Sequence, residues 1–281
     1  MTDIQKETII NNLEKDNDYI LSLCDHLLHI LRRIIDPDKE RYICMSRDDA
    51  TILGLFIKQY KYLQDIVNSF KSQNTHLFFL LQRIRYEAII KMLYLIKHPE
   101  ARREYRIKSY KNRHNVYKEH NDDTMFLVMI SKYLEDIQKD GFSIDELNKI
   151  RDWKLGSMNF DGMVNEVDYK ENYRLAYGLP SDMIHSDWGE IRQLYLNQDE
   201  EGTRMFHDLE DKPLHYRALL YELAISCKAA TSYMKWIEDL DEIEYSEQIK
   251  TRIQEIYEIL IVAQKHVLNI YSTSPDTYMT I

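Results

Sequence analysis

The sequence predicts an all-α fold, a multi-helix bundle in which two apolar helices are innermost. Three observations carry this. Only seven glycines and five prolines occur in 281 residues, about a third of the usual share. Apolar residues recur at helical spacing over long stretches. Helix start and stop signals punctuate those stretches. The glycine shortage also excludes architectures and sites that need many residues at positive φ, among them hairpin-rich sheets, Gly-rich phosphate loops and nucleophile elbows.

Residues 3–35 read as helix with a break near Asp16-Asn17-Asp18, and Leu21, Leu23, Leu27, Leu28, Leu31 and Ile35 supply one apolar side. Asp36-Pro37 ends it, because a residue before proline avoids the α region. Ser46 is the N-cap of a helix over 47–70. Asn74 or Thr75 opens the next, which runs to Lys97. It is apolar on almost every side and belongs at the centre of a bundle. His98-Pro99 starts a helix over 99–118. Asp123 or Thr124 caps one over 125–139, with Gly141 as its C′ residue. Ser143-Ile144-Asp145-Glu146 fits a capping box and opens a helix to about 153.

Residues 154–166 form the loosest stretch. Helix is expected again from Asp168 to Tyr177 and from Ser181 to Trp188. The polar, acidic segment 195–212 reads as a loop or short-helix excursion. Two long helices close the chain, over 213–240 and 245–271, and the tail 272–281 should fray. No repeat of 20–50 residues is present, so one helical domain over 1–281 is expected. Long helices seldom cover their whole apolar stripe alone, so a homodimer is expected too.

The chain carries 37 basic and 47 acidic residues, a formal charge of −10. A surface of that sign repels duplex phosphates, which argues against general binding of double-stranded DNA. Cys24, Cys44 and Cys227 are odd in number and far apart, so neither a disulfide framework nor a zinc knuckle is indicated. No signal-like apolar core opens the sequence. The most apolar stretch, 77–96, holds Arg83, Arg85, Glu87 and Lys91, charges that a bilayer would penalise. No membrane partner and a cytoplasmic location are therefore expected. Among the candidates below none makes a metal or cofactor site.

Four constellations bear chemistry. Arg83 and Glu87 lie one turn apart on the central helix and can pair. Glu222, in the equally apolar stretch 218–230, is a candidate partner for Arg83 or Arg85, because charges on apolar helices must find partners. Tyr177, Ser181 and His185 follow at i, i+4 and i+8, and align if helix continues through Pro180. Such a cluster can be a polar helix end or a site, and a serine nucleophile would need an oriented imidazole. Asp182 and His185 alone are too few for a metal.

The third lies on the basic helix. From Lys97 to Lys118 there are eight basic residues and two acidic ones, a local charge of +6 that leaves −16 on the remainder. Arg102, Arg103, Arg106, Tyr110 and Arg113 interleave cations with rings, a composition that suits single-stranded RNA or nucleotides. It equally suits a basic face docked on the acidic remainder. The fourth, His26 and His29, reads as boundary packing.

Two resemblances follow from these residues. Arg83-Ile84-Arg85-Tyr86-Glu87-Ala88 with Leu93-Tyr94-Leu95, followed by Trp153-Lys154-Leu155-Gly156-Ser157, Tyr173 and Tyr177-Gly178-Leu179-Pro180-Ser181-Asp182-Met183-Ile184-His185, resembles an uncharacterised bacterial family, the domain of unknown function numbered 5677. The resemblance spans residues 75–190. It implies a helical fold and places a site at Arg83, Glu87, Tyr177, Ser181 and His185, without assigning an activity. Arg113 and His120 fit the looser Arg-x(4–6)-His pattern of the higher eukaryotes and prokaryotes nucleotide-binding (HEPN) superfamily. That pattern implies a metal-independent ribonuclease, with His120 as acid/base and Arg113 stabilising phosphate charge, in a setting such as phage defence.

Two classes of function are therefore expected as alternatives. One is a helical protein that binds or processes RNA. The other is a non-enzymatic oligomeric module whose polar clusters are structural. Gly156, Gly162, Gly178, Pro180 and Gly189 fall within 34 residues. In a chain so sparing of helix breakers, that concentration makes the Ser181–His185 region the preferred site over Arg113 and His120.

Overall fold

The computed structural model describes residues 2–15, 17–36, 45–119, 124–150, 154–173, 177–182, 188–199, 204–208, 213–240 and 244–273. Helices α1 (Asp3–Lys15) and α2 (Asn17–Ile35) are followed by α3 (Ala50–Lys71), α4 (Thr75–Lys97) and α5 (Ala101–Glu119). Then come α6 (Thr124–Lys139), α7 (Ile144–Lys149), α8 (Phe160–Glu166), α9 (Lys170–Tyr173), α10 (Leu179–Asp182) and α11 (Trp188–Tyr195). Strands β1 (Leu196–Gln198) and β2 (Met205–His207) precede α12 (Arg217–Asp239) and α13 (Glu247–Thr273). The fold is all-α, with one two-stranded antiparallel ladder that pairs Leu196 with His207.

The main core lies where α2, α3, α4 and α12 meet, with α13 and α1 closing one side. The innermost helices are the expected ones. Along α4 the buried side chains include Phe78, Phe79, Ile89, Ile90, Met92 and Leu95, and along α12 they include Leu219, Leu223, Ala229, Ala230, Tyr233 and Ile237. Tyr233 stacks on Phe56 of α3 with ring centres 4.0 Å apart. A smaller apolar cluster forms beside it from α5, α6 and α7, around Ile107, Tyr133, Ile137, Phe142 and Leu147.

Local signals explain most boundaries. The Asn74 side chain accepts from the Leu77 amide at 2.9 Å and starts α4. Ser143 and Glu146 make both bonds of the capping box at α7. At the end of α6, Gly141 (φ 77°) and Phe142 donate back to the Gln138 and Ile137 carbonyls, which satisfies two orphan acceptors. Similar left-handed ends occur at Gln73 (φ 56°) after α3 and at Asp168 (φ 59°) after α8. A chain short of glycine thus uses other residues at such ends. At Gln73 the side chain offsets the backbone cost: its amide nitrogen donates to the Phe70 carbonyl, and its oxygen accepts from the Leu214 amide.

Several expectations are corrected. Ser46 Oγ accepts from the Asp49 amide at 3.1 Å, but only a turn follows it and α3 begins at Ala50. The helix opened by the capping box ends at Lys149, where Ile150 turns extended. The loose stretch 154–166 contains a tight turn and α8, which Asn159 caps by accepting from the Gly162 amide. The helix expected near Asp168 starts at Lys170 and is described to Tyr173, with residues 174–176 outside the described residues. Tyr177 and Gly178 are already helical and lead directly into α10, so helix does continue through Pro180, which sits in an opening turn where a missing N–H is tolerated. The helix that holds Trp188 runs on to Tyr195, and residues 183–187 lie outside the described residues. Part of 195–212 is strand. His26 and His29 are exposed and not at the core boundary. Of the tail 272–281, residues 272 and 273 belong to α13 and the others lie outside the described residues. No helix among the described residues is long and apolar enough to cross a membrane.

One titratable group sits at the entry to α12. His215 Nδ1 accepts from the Arg217 amide at 3.3 Å. Burial, then the nearby Arg217 charge, lowers the imidazole pKa to about 4. An unfolded histidine titrates near about 6.5, so the unfolded chain binds the proton more readily. This contribution to stability is complete above pH ~6.5 and is lost as pH falls toward 4. Thermal melts across that window should show a decline that is shallower in His215→Gln. Identical pH slopes for both proteins would contradict the assignment.

Candidate functional site

The charges on the apolar helices sort into two groups. Arg85 is fully buried, and all five of its N–H donors are used. Nε donates to the Gln59 carbonyl at 3.1 Å. Nη1 donates to the Glu222 carbonyl and carboxylate, and Nη2 donates to Gln59 Oε1 at 3.0 Å and to Ser226 Oγ. The other Glu222 oxygen accepts from Gln82 at 2.9 Å. The expected pairing of Glu222 with Arg83 or Arg85 is thus made with Arg85. The network ties α3, α4 and α12 together in the core, and its five side chains are all buried.

Arg83 is different. The expected pair with Glu87 is not made: Glu87 is bound to Lys91. A glutamate four residues before a lysine is the favoured helical orientation, so Lys91 takes the carboxylate. Arg83 instead turns toward Tyr177. Its guanidinium carbon lies 5.1 Å from that ring centre, and Nη2 is 3.5 Å from the phenol oxygen. Arg83 Nε is buried with no hydrogen-bond partner, and no carboxylate among the described residues lies within ion-pair distance of the guanidinium.

Around Tyr177 the chain assembles an aromatic cluster. Phe160 lies 4.8 Å and Tyr173 5.3 Å from the Tyr177 ring, and Tyr86 lies 6.3 Å from it. The Tyr86 hydroxyl donates to the Tyr169 carbonyl at 3.0 Å, which fixes the ring from α4 against the segment after α8. Burial raises the phenol pKa of Tyr86 and of Tyr173; for Tyr173 the Arg83 charge partly opposes this. These phenols stay protonated and can donate. Arg83 and Tyr177 are half-buried, so the cluster reaches the surface. Helix α10 packs on α4 and carries Ser181, also half-buried, to this side. His185 lies outside the described residues. Of the five expected site residues, Arg83 and Tyr177 are in contact, Ser181 is on the adjoining helix, and Glu87 is engaged elsewhere. Phe160 was not singled out in the sequence, because a lone aromatic in a loose polar stretch carries no pattern.

On α5 the cations are largely matched within the chain. Arg102 is 7% exposed. It is paired with Asp49, donates to the Leu95 carbonyl at 2.8 Å and lies over the Trp236 ring. Arg103 meets Glu146 at 2.7 Å and Arg106 meets Asp48 at 2.8 Å, and both guanidinium carbons lie 4.9 Å from the Phe142 ring centre. Tyr110 donates to Asp140 at 2.6 Å. That carboxylate and burial push the phenol up to about 12, burial being the larger cause. Arg113 is exposed, and His120 lies outside the described residues. Much of the basic helix is therefore docked on acidic residues from three other segments. Among the described residues no three His, Cys, Asp or Glu side chains gather as a metal site would require.

The fold and site define an all-α protein in which a central helix presents an arginine to a surface aromatic cluster. Over residues 49–204, more than half its length, the chain matches a family of unknown function (DUF5677), and it belongs to that family. The matched span runs from the turn before α3 to just before β2, wider than the 75–190 of the motif resemblance. It contains Arg83, Glu87, Tyr177 and Ser181, and leaves α1, α2, α12 and α13 outside. The match supports the first resemblance and adds nothing to the second, Arg-x(4–6)-His one. No curated protein and no solved structure matches the chain.

Proposed function

We propose that this is a nucleotide- or single-stranded-RNA-binding protein whose ligand engages Arg83 and the rings around Tyr177, not the basic face of α5. The observation that supports this most is the state of Arg83. Among the described residues its charge is left without a carboxylate, and a buried Nε–H is left without an acceptor. A buried donor in that state costs about 1–3 kcal/mol, which a phosphate oxygen would recover. Arginine suits phosphate through its planar fork, and aromatic side chains accept stacked bases irrespective of sequence. Tyr173, Tyr177 and Phe160 offer such faces. The Ser181 hydroxyl can add a polar contact from α10.

The test is titration of AMP and of a labelled single-stranded RNA into the full chain at low salt. Wild type should bind saturably. Arg83→Gln, which keeps much of the stem, should weaken binding by about tenfold or more, the loss of one charge-assisted contact. Circular dichroism melts would show whether the variant folds. Absence of saturable binding to wild type, or unchanged affinity in a folded Arg83→Gln, would overturn the reading. In the same assay, RNA cleavage that disappears in His185→Ala would extend binding to processing.

A further inference from the structure

A cleft lies between α12, α13 and the turn that follows α8. Its volume is about 390 Å³, within the range of small-molecule sites. Val167, Cys227 and Ile253 are its buried apolar lining. Burial pushes the Cys227 thiol up to about 12, so it is an inert part of that lining. Tyr169 and Tyr257 form aromatic walls. Lys228 is held between them, its Nζ 5.7 Å from the Tyr169 ring centre and 5.9 Å from that of Tyr257.

The charge of Lys228 is the informative feature. It is half-buried in the cleft, and no carboxylate among the described residues lies within ion-pair distance. The adjoining groove along α12 and α13 behaves differently. There Lys250 is bound to Glu238 at 3.0 Å and to Glu247 at 3.2 Å, so its charge is already matched. At Lys228 two π faces hold the ammonium in place without neutralising it. Ser232 brings a hydroxyl to the same wall, whereas the Thr231 hydroxyl donates to the Cys227 carbonyl at 3.0 Å. Asp168 is the acidic residue of the lining. It is exposed, and its backbone is held left-handed by the end of α8.

From this arrangement we infer that the cleft binds a small organic anion, a flat or apolar body carrying one carboxylate or phosphate group. The anion would meet Lys228 and the Ser232 hydroxyl, and the body would lie on Tyr257 over the apolar lining. One cation and one acidic rim residue disfavour a highly charged ligand or a polyanion. The inference is independent of the Arg83 site, although Tyr86 touches both regions through the Tyr177 ring and the Tyr169 carbonyl.

The experiment is calorimetric titration of the full chain with benzoate, phenyl phosphate and, as the neutral body, benzyl alcohol. Benzoate should bind saturably with one site, phenyl phosphate with one site here and one at Arg83, and benzyl alcohol should not bind. Lys228→Met keeps the aliphatic stem between the rings and should weaken the anion at least about tenfold. Lys228→Arg should restore most of the binding. Arg83→Gln should leave benzoate binding unchanged, which separates this cleft from the nucleotide site. No saturable binding of either anion to wild type, or equal affinity in a folded Lys228→Met, would overturn the inference. So would loss of binding in Arg83→Gln with Lys228→Met unaffected.

Discussion

Replacing Glu222 with leucine is expected to destabilise the chain by about 3–5 kcal/mol, the usual cost of removing one partner from a buried ion pair. The reason is the guanidinium that stays behind. Arg85 is sealed between α3, α4 and α12, and Glu222 is the only carboxylate it touches among the described residues. Without that partner the charge can neither reach water nor lose its proton readily, so the folded state carries an uncompensated ion. At about 2–4 °C per kcal/mol for a chain of roughly this size, the melting point should drop by about 10 °C. The double variant Arg85→Met/Glu222→Leu removes both charges at similar volume and should recover most of the loss. Recovery would be incomplete, because Gln59 and Gln82 also lose partners. A double variant as unstable as the single one would show that the network does more than neutralise Arg85.

The second large effect is expected at Gly156. Leu155 and Met158 exchange both backbone hydrogen bonds around Gly156 (φ 55°) and Ser157 (φ 69°), a tight reversal that needs positive φ at both central residues. A side chain at Gly156 would meet an obstacle too: a Cβ built there lies 2.4 Å from the Tyr94 hydroxyl. That hydroxyl donates to the Leu155 carbonyl at 3.3 Å. Gly156→Ala should therefore cost about 1–2 kcal/mol for the left-handed backbone and about 1 kcal/mol more for the displaced hydrogen bond. In a Tyr94→Phe background the obstacle is gone, so the same substitution should cost only the backbone part. Chemical denaturation of the four proteins measures this coupling. Additive effects would mean that Tyr94 yields freely.

These two sites also show what could be read from the chain. The Arg85–Glu222 pair was legible because each charge interrupts an apolar run, and two such runs must be the innermost helices. The capping box at α7 and the Gly141 end were legible because their chemistry is local. The docking of α5 was legible only as one of two alternatives. Its partners Asp48, Asp49, Asp140 and Glu146 lie on segments that only the tertiary fold brings together. The β1–β2 ladder was missed because a polar strand of three residues has no alternation to detect. At the site, Arg83 and Tyr177 were found but joined to the wrong neighbour. Spacing alone gives Glu87 two partners at i±4, and it cannot say that Lys91 wins while Arg83 turns to a ring 94 positions along the chain.

The division between structural and binding cations is the central claim, and one binding comparison tests it most directly. Affinity for single-stranded RNA and AMP at low salt would be measured side by side for wild type, Arg83→Gln, and the double variant Arg103→Ala/Arg113→Ala on the exposed side of α5. The account predicts a loss of about tenfold or more for Arg83→Gln and near-wild-type affinity for the α5 double variant. Loss of binding in the α5 variant, with Arg83→Gln folded and unaffected, would contradict it and return the ligand to the basic helix.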